Sequence, residues 1–133
     1  MTHAQAMLDT YPRSFDLDSA TLAEAIDLLV DCANTCTQCA DACLSEGNPD
    51  LAKCIRLNMD CADICNAASR VVSRQTEYDV NITRPLLEAC MAACRSCGDE
   101  CGRHADHMAH CRICAEQCLR CEAACRSLLA AMA

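Results

Sequence analysis

The chemistry open to this chain lies in its 16 cysteines, spread over 133 residues. They recur at steps of three or four: Cys32, Cys36, Cys39 and Cys43; Cys54, Cys61 and Cys65; Cys90, Cys94, Cys97 and Cys101; Cys111, Cys114, Cys118, Cys121 and Cys125. In the second set Asn58 fills the place that the spacing would give to a thiol. Steps of this kind put each set on a single stripe of an α-helix. Neighbours on a stripe have Cβ atoms about 5–6 Å apart, whereas a disulfide needs about 3.5–4.5 Å, so bridging along a stripe is resisted. A core of bundled helices usually selects leucine, because each buried methylene contributes about 0.8 kcal/mol. Something other than packing selects the thiols, and soft metal is the chemistry that suits them.

Three metals compete for such a set. Structural zinc wants four thiolates converging tetrahedrally, usually from two short turns, and continuous stripes do not divide into fours. Iron–sulfur sites gather their cysteines in a loop such as C-x₂-C-x₂-C-x₃-C-P, which is absent from the sequence. A zinc- or iron–sulfur-binding helical domain therefore stays open as an alternative, but a forced one. Copper(I) fits the stripe directly, since two thiols on one helix face can pinch an ion and thiolates can bridge. If every ion takes two thiolates and every thiolate serves two ions, the 16 thiols hold roughly 16 ions or more. Charge balances as well, because each thiol that loses a proton gains about one monovalent ion.

Stripes need helices to carry them, and the punctuation predicts four. Thr21 with Glu24 reads as a capping box opening a helix to about Ser45, with Gly47 just past its end. Asn48 and Pro49 start a second helix that runs to about Arg74, and Gln75 to Asn81 form a polar link. Thr83 and Pro85 mark a third helix, and Asp106 caps a fourth that runs to about Ala131. Short links force antiparallel neighbours, so the fold class is all-α, an antiparallel up-down-up-down four-helix bundle with a cysteine-lined core. Residues 1–20 form an N-terminal segment with room for a short helix, and 21–133 the metal-storage domain. At one end Leu22, Ile26, Leu29, Val72, Leu86, Leu87 and Leu128 continue the stripes as an apolar plug. At the other, His104, His107, Met108 and His110 surround the last thiols.

The three full cysteine stripes, with a histidine-bearing mouth, resemble the bacterial cytosolic copper storage proteins over about Leu22 to Ala131. That resemblance implies inward cysteines holding many copper(I) ions, a homotetramer, and a part in copper homeostasis, exchanging ions with copper donors and acceptors. The expected ligands are all 16 cysteines together with His104 and His110, and Asn58, His107 and Met108 are expected where metal enters.

Composition excludes other classes. A net charge of -8, one lysine and three aromatics (Tyr11, Phe15, Tyr78) argue against a nucleic-acid partner. No stretch is apolar enough for a membrane span, and the N-terminus lacks a basic start before an apolar run, so a cytoplasmic location is expected. In a reducing compartment the thiols stay reduced. No nucleophile, base and orienter set occurs, and no catalysis is expected; a thiol oxidoreductase would need an exposed thiol of lowered pKa. Asp41, Asp60, Asp63, Glu100 and Glu116 are expected on a solvated outer face, Met59 and Met91 as packing. Ile55 and Ile113, off the stripes, are expected at contacts between chains.

Overall fold

Capping chemistry sets where the helices begin, and it departs from the sequence expectation at three of the four starts. The Asp18 carboxylate accepts from the Thr21 backbone N–H at 2.9 Å, so the helix opens at Ser19, ahead of the expected Thr21–Glu24 box. Asp79 does the same for Asn81, starting the next-to-last helix at Val80 and leaving Pro85 inside it. Pro85 lies past the first turn, where its missing N–H leaves one carbonyl without its helical donor. Asp106 caps nothing; the last helix follows Met108, whose side chain makes no capping bond. The fourth start is as expected: Asn48 accepts from Asp50 N–H, with Pro49 next, although Pro49–Leu51 form a 3₁₀ turn before the α-helix proper.

The computed structural model describes residues 2–132; positions 1 and 133, the outer limits of the segment and domain expected above, lie outside the described residues. Its elements are α1 (Ala4–Asp9), α2 (Ser19–Glu46), the 3₁₀ turn Pro49–Leu51, α3 (Ala52–Val72), α4 (Val80–Gly102) and α5 (Ala109–Ala131). Gly47 ends α2 at φ +67°, a left-handed conformation that a residue with a Cβ adopts only with strain. The four long helices pack as a ring, α2 on α3, α3 on α4, α4 on α5 and α5 on α2, and α1 lies against α2. This is the expected four-helix bundle.

Inside the ring all 16 cysteines are buried. Beyond them Leu22, Leu29, Leu87 and Leu128, each at most 1% exposed, close one end, with Ile26 and Val72 buried beside them. Leu86 is only partly buried. The N-terminal segment adds Leu8 to the core. Tyr11 reaches across to Thr76, with hydroxyls 2.8 Å apart, and stacks edge-on against Phe15. Between α4 and α5 the helices come close at Gly98, where an added Cβ would stand 3.3 Å from the Cys118 Cβ. Glu122, unremarked in the sequence, is buried and accepts from Arg95 of α4 and Arg126 of α5, both at 3.1 Å.

Because most of the large, fully buried apolar side chains lie at the plug, with Leu51 the exception at the other end, metal-free stability should depend on the plug heavily. Leu29→Ala is expected to cost about 2–5 kcal/mol in the metal-free protein, read by chemical denaturation, and an exposed substitution such as Met59→Ala less than about 0.5 kcal/mol.

Candidate metal centre

Helical spacing brings thiols near one another along each stripe, and the ring of helices then brings stripes together. Along α2, Cys32 and Cys36 Sγ are 3.8 Å apart; along α3, Cys61 and Cys65 are 3.8 Å apart; along α4, Cys97 and Cys101 are 4.0 Å apart. Between helices the distances are the same: Cys36 to Cys118 3.7 Å, Cys61 to Cys94 3.8 Å, Cys65 to Cys90 3.3 Å, Cys54 to Cys101 3.6 Å. No direction in the core is favoured, so a thiol has partners on its own helix and on its neighbours.

The thiols converge in fours that share members. Cys32, Cys61, Cys65 and Cys94 have sulfurs within 4.8 Å of one another, as do Cys32, Cys36, Cys61 and Cys118. So do Cys36, Cys97, Cys114 and Cys118, and Cys65, Cys90, Cys94 and Cys121. Cys32, Cys36, Cys61, Cys65, Cys94 and Cys118 each serve two of these quartets. Separate closed zinc sites take four ligands each, and quartets that share members cannot all be filled that way at once. Shared membership is the geometry of bridging thiolates, which soft monovalent ions accept.

Asn58 lies fully buried among this set, not at its rim. Its amide Nδ2 donates to the Cys54 carbonyl at 2.8 Å and faces the Cys54 and Cys101 sulfurs at 3.4 and 3.5 Å. Its Oδ1 accepts from Cys114 at 3.0 Å and from Cys97 at 3.3 Å. Every polar atom of the amide is satisfied by thiols or backbone, which a buried amide requires.

The open end is less uniform than the sequence suggested. His110 Nδ1 stands 3.6 Å from Cys39, 3.9 Å from Cys43 and 3.6 Å from Cys111, and these four residues form a further quartet. His104 instead meets Glu100, Nε2 to Oε2 at 3.1 Å. Glu100 was expected on the solvated face, yet it is only 7% exposed, because one helical turn puts it beneath His104. The i,i+4 relation to His104 was the signal that could have found it. Asp41, Asp63 and Glu116 are exposed and Asp60 is half-buried, in keeping with the outer face. His107 is exposed and Met108 partly buried against the core. Met91 packs as expected; Met59 does not, being 53% exposed on the outside of α3. Ile113 is exposed, but Ile55 is partly buried against the core and so is not available between chains in the way expected.

Burial sets the protonation of the outer thiols. It pushes the Cys111 thiol up, and the nearby Cys43 and Cys54 sulfurs add to that. Cys43 rises for the same reason, with Cys54 contributing. A sulfur surrounded by sulfurs cannot easily carry charge without a cation.

The profile of the copper storage protein family matches residues 18–130. Among solved structures, the copper storage protein Ccsp of Streptomyces lividans loaded with 10 copper equivalents is 51% identical, covering 96% of this chain and 98% of that one, with a TM-score of 0.91. A cytosolic copper storage protein from Streptomyces lividans carrying five coppers is 54% identical over 84% of this chain and 93% of that one, with a TM-score of 0.79. A Ccsp variant with one histidine replaced by alanine is 52% identical over 90% of this chain and 100% of that one, with a TM-score of 0.85. No curated protein sequence matches.

Thiols held above their ordinary pKa must shed protons to take metal. Affinity is therefore expected to fall as pH falls, about tenfold per pH unit for each proton released per ion. Competition against a chelator of known affinity at two pH values, with the proton release measured directly, checks this.

Proposed function

The chain belongs to the copper storage protein family, and from that premise we propose how it stores: copper(I) fills the thiol-lined bundle through the end that carries His104 and His110. The observation that supports this most is the overlap of the thiol quartets, which suits many bridged monovalent ions and not a few isolated divalent ones. The ligands in this reading are the 16 cysteines and, at the mouth, His110 and His104. His110 is the better placed, with its Nδ1 already among three sulfurs. His107 and Met108 serve arrival at the mouth. Asn58 is a fixed amide inside the tube whose Oδ1 is the hard donor there, so it shapes the path instead of receiving ions at the surface. In the N-terminal segment, Leu8, Phe15 and Leu17 pack against the core, and in this reading the segment takes no part in binding.

No described helix is long and apolar enough to cross a membrane. The cytosolic relative supports a cytoplasmic store that buffers or sequesters copper, and this reading gives the chain no catalytic role. Its partners are copper donors and acceptors; nucleic acid is not among them, given the charge of -8. Exposed Ile113, Leu119 and Leu44 give the outer faces apolar positions for assembly into a homo-oligomer, a tetramer by likeness to the family.

Anaerobic titration followed by native mass spectrometry tests the reading. More than about ten copper(I) ions per chain are expected, with the metal-free protein still helical; saturation at four or fewer would instead fit zinc-type sites. Cys118→Ala, in mid-tube, is expected to remove about one or two ions. His104→Ala should leave the final count nearly unchanged and slow uptake or release.

A further inference from the structure

The two mouth imidazoles share an arrangement that neither the stripes nor their own positions required. His104 Nε2 faces Glu100 Oε2 at 3.1 Å, and the other carboxylate oxygen, Oε1, is held by Arg103 at 3.5 Å. His110 Nε2 faces Glu46 Oε1 at 3.8 Å, at the last residue of α2. That nitrogen is buried and has no hydrogen-bond partner, while Nδ1 of the same ring lies among Cys39, Cys43 and Cys111. A carboxylate only accepts, so it holds the proton on the nitrogen that faces it. In a neutral ring the other nitrogen is then left with its lone pair. At His110 the neighbours of Nδ1 are thiols, whose S–H groups can donate to the lone pair that this tautomer leaves there.

We propose that Glu46 and Glu100 are positioning residues for copper uptake: each takes the Nε2–H of one mouth histidine, His110 and His104 respectively, and so presents Nδ1 to the arriving ion. This rests on the reading of the histidines as ligands. Carboxylates in this relation fix the tautomer and raise the basicity of a metal-binding imidazole. The two pairs differ in readiness. Glu100 is buried, doubly held and already in contact, so His104 is set before metal arrives. Glu46 is about half exposed and a little beyond hydrogen-bond reach, so its contact with His110 closes as Nδ1 takes the ion.

The test begins on the metal-free protein, where long-range proton–nitrogen correlation of ¹⁵N-labelled histidine reads the tautomer directly. Both rings are expected as Nε2–H. Glu46→Ala and Glu100→Ala should each shift only their own histidine towards the Nδ1–H form. Each should weaken the first copper(I) ion bound by about 10–100-fold in chelator competition. Glu100→Gln, whose amide oxygen still accepts from Nε2, should restore the tautomer, and Glu116→Gln on the outer face should move nothing. An Nδ1–H ring at either position in the unmutated protein overturns the proposal for that pair, even if Glu100→Ala does not fold. Unchanged tautomers and first-ion affinity in the folded alanine variants overturn it for both. Failure of the unmutated chain to bind many ions would sink the storage reading separately, since the tautomers are read without metal.

Discussion

All 16 core cysteines are free thiols whose touching sulfurs stand 3.3 Å or more apart, a spacing that a shared soft ion can bridge. Holding 16 thiols at that spacing constrains the rest of the chain. The helices must run side by side with small residues where they approach, which is why alanine and cysteine dominate the inner faces and Gly98 lets Cys118 come close. Few glycines or prolines can be tolerated inside the helices, and the chain has three of each. Gly47 stands at a helix end where its left-handed φ is needed.

The same constraint displaces the ordinary sources of stability. A thiol buries less apolar surface than leucine, and each missing methylene forgoes about 0.8 kcal/mol, so the sulfur-lined length of the bundle is weakly held by carbon packing. The compensation sits at its edges. Leu22, Leu29, Leu87 and Leu128 form a compact layer beyond the last thiols, the segment before α2 adds Leu8 and the Tyr11–Thr76 bond, and Glu122 ties α5 to α4 through Arg95, with Arg126 of its own helix on the same carboxylate. Helix ends contribute through Asp18, Asn48 and Asp79, each satisfying a backbone N–H that would otherwise lack a partner. The bundle can thus stay assembled while its interior is left free for metal.

Periodicity made the stripes, the bundle and its two unlike ends legible in the sequence, because a three-or-four step is a local property that survives any tertiary arrangement. Helix starts were less legible. Asp18 and Asp79 compete with nearby plausible caps, and the choice depends on where packing needs the helix to begin. Asn58 was recognisable as a missing thiol, but its role was not, since its four sulfur partners come from α3, α4 and α5 and only the register between helices brings them together. The histidines show the same limit. His110 is one position off its stripe, yet at the first turn of α5 it leans over Cys39 and Cys43 of α2; His104 is on its stripe but turns to Glu100. Stripe membership predicts depth in the core well and direction at a helix end poorly.

The difference between the two ends gives the bundle a direction. At the plug the groups beyond Cys90 and Cys125 are mostly carbon, with the Thr83 hydroxyl and the Met132 thioether beside Leu22, Val72 and Leu128, so a copper ion there would exchange its thiolates for weaker donors. At the mouth the donors grade outward, from buried thiols through a histidine shared with three sulfurs to a histidine held by a carboxylate, and then to the exposed His107. An ion moving along that gradient exchanges one partial coordination shell for another at each step and is never bare. On the proposed reading, ions that go in by this route leave by it as well. Occupancy of the outermost sites, on the same reading, governs access to the deeper ones, which puts control of both loading and release on a few side chains at the end of α2, the end of α4 and the start of α5.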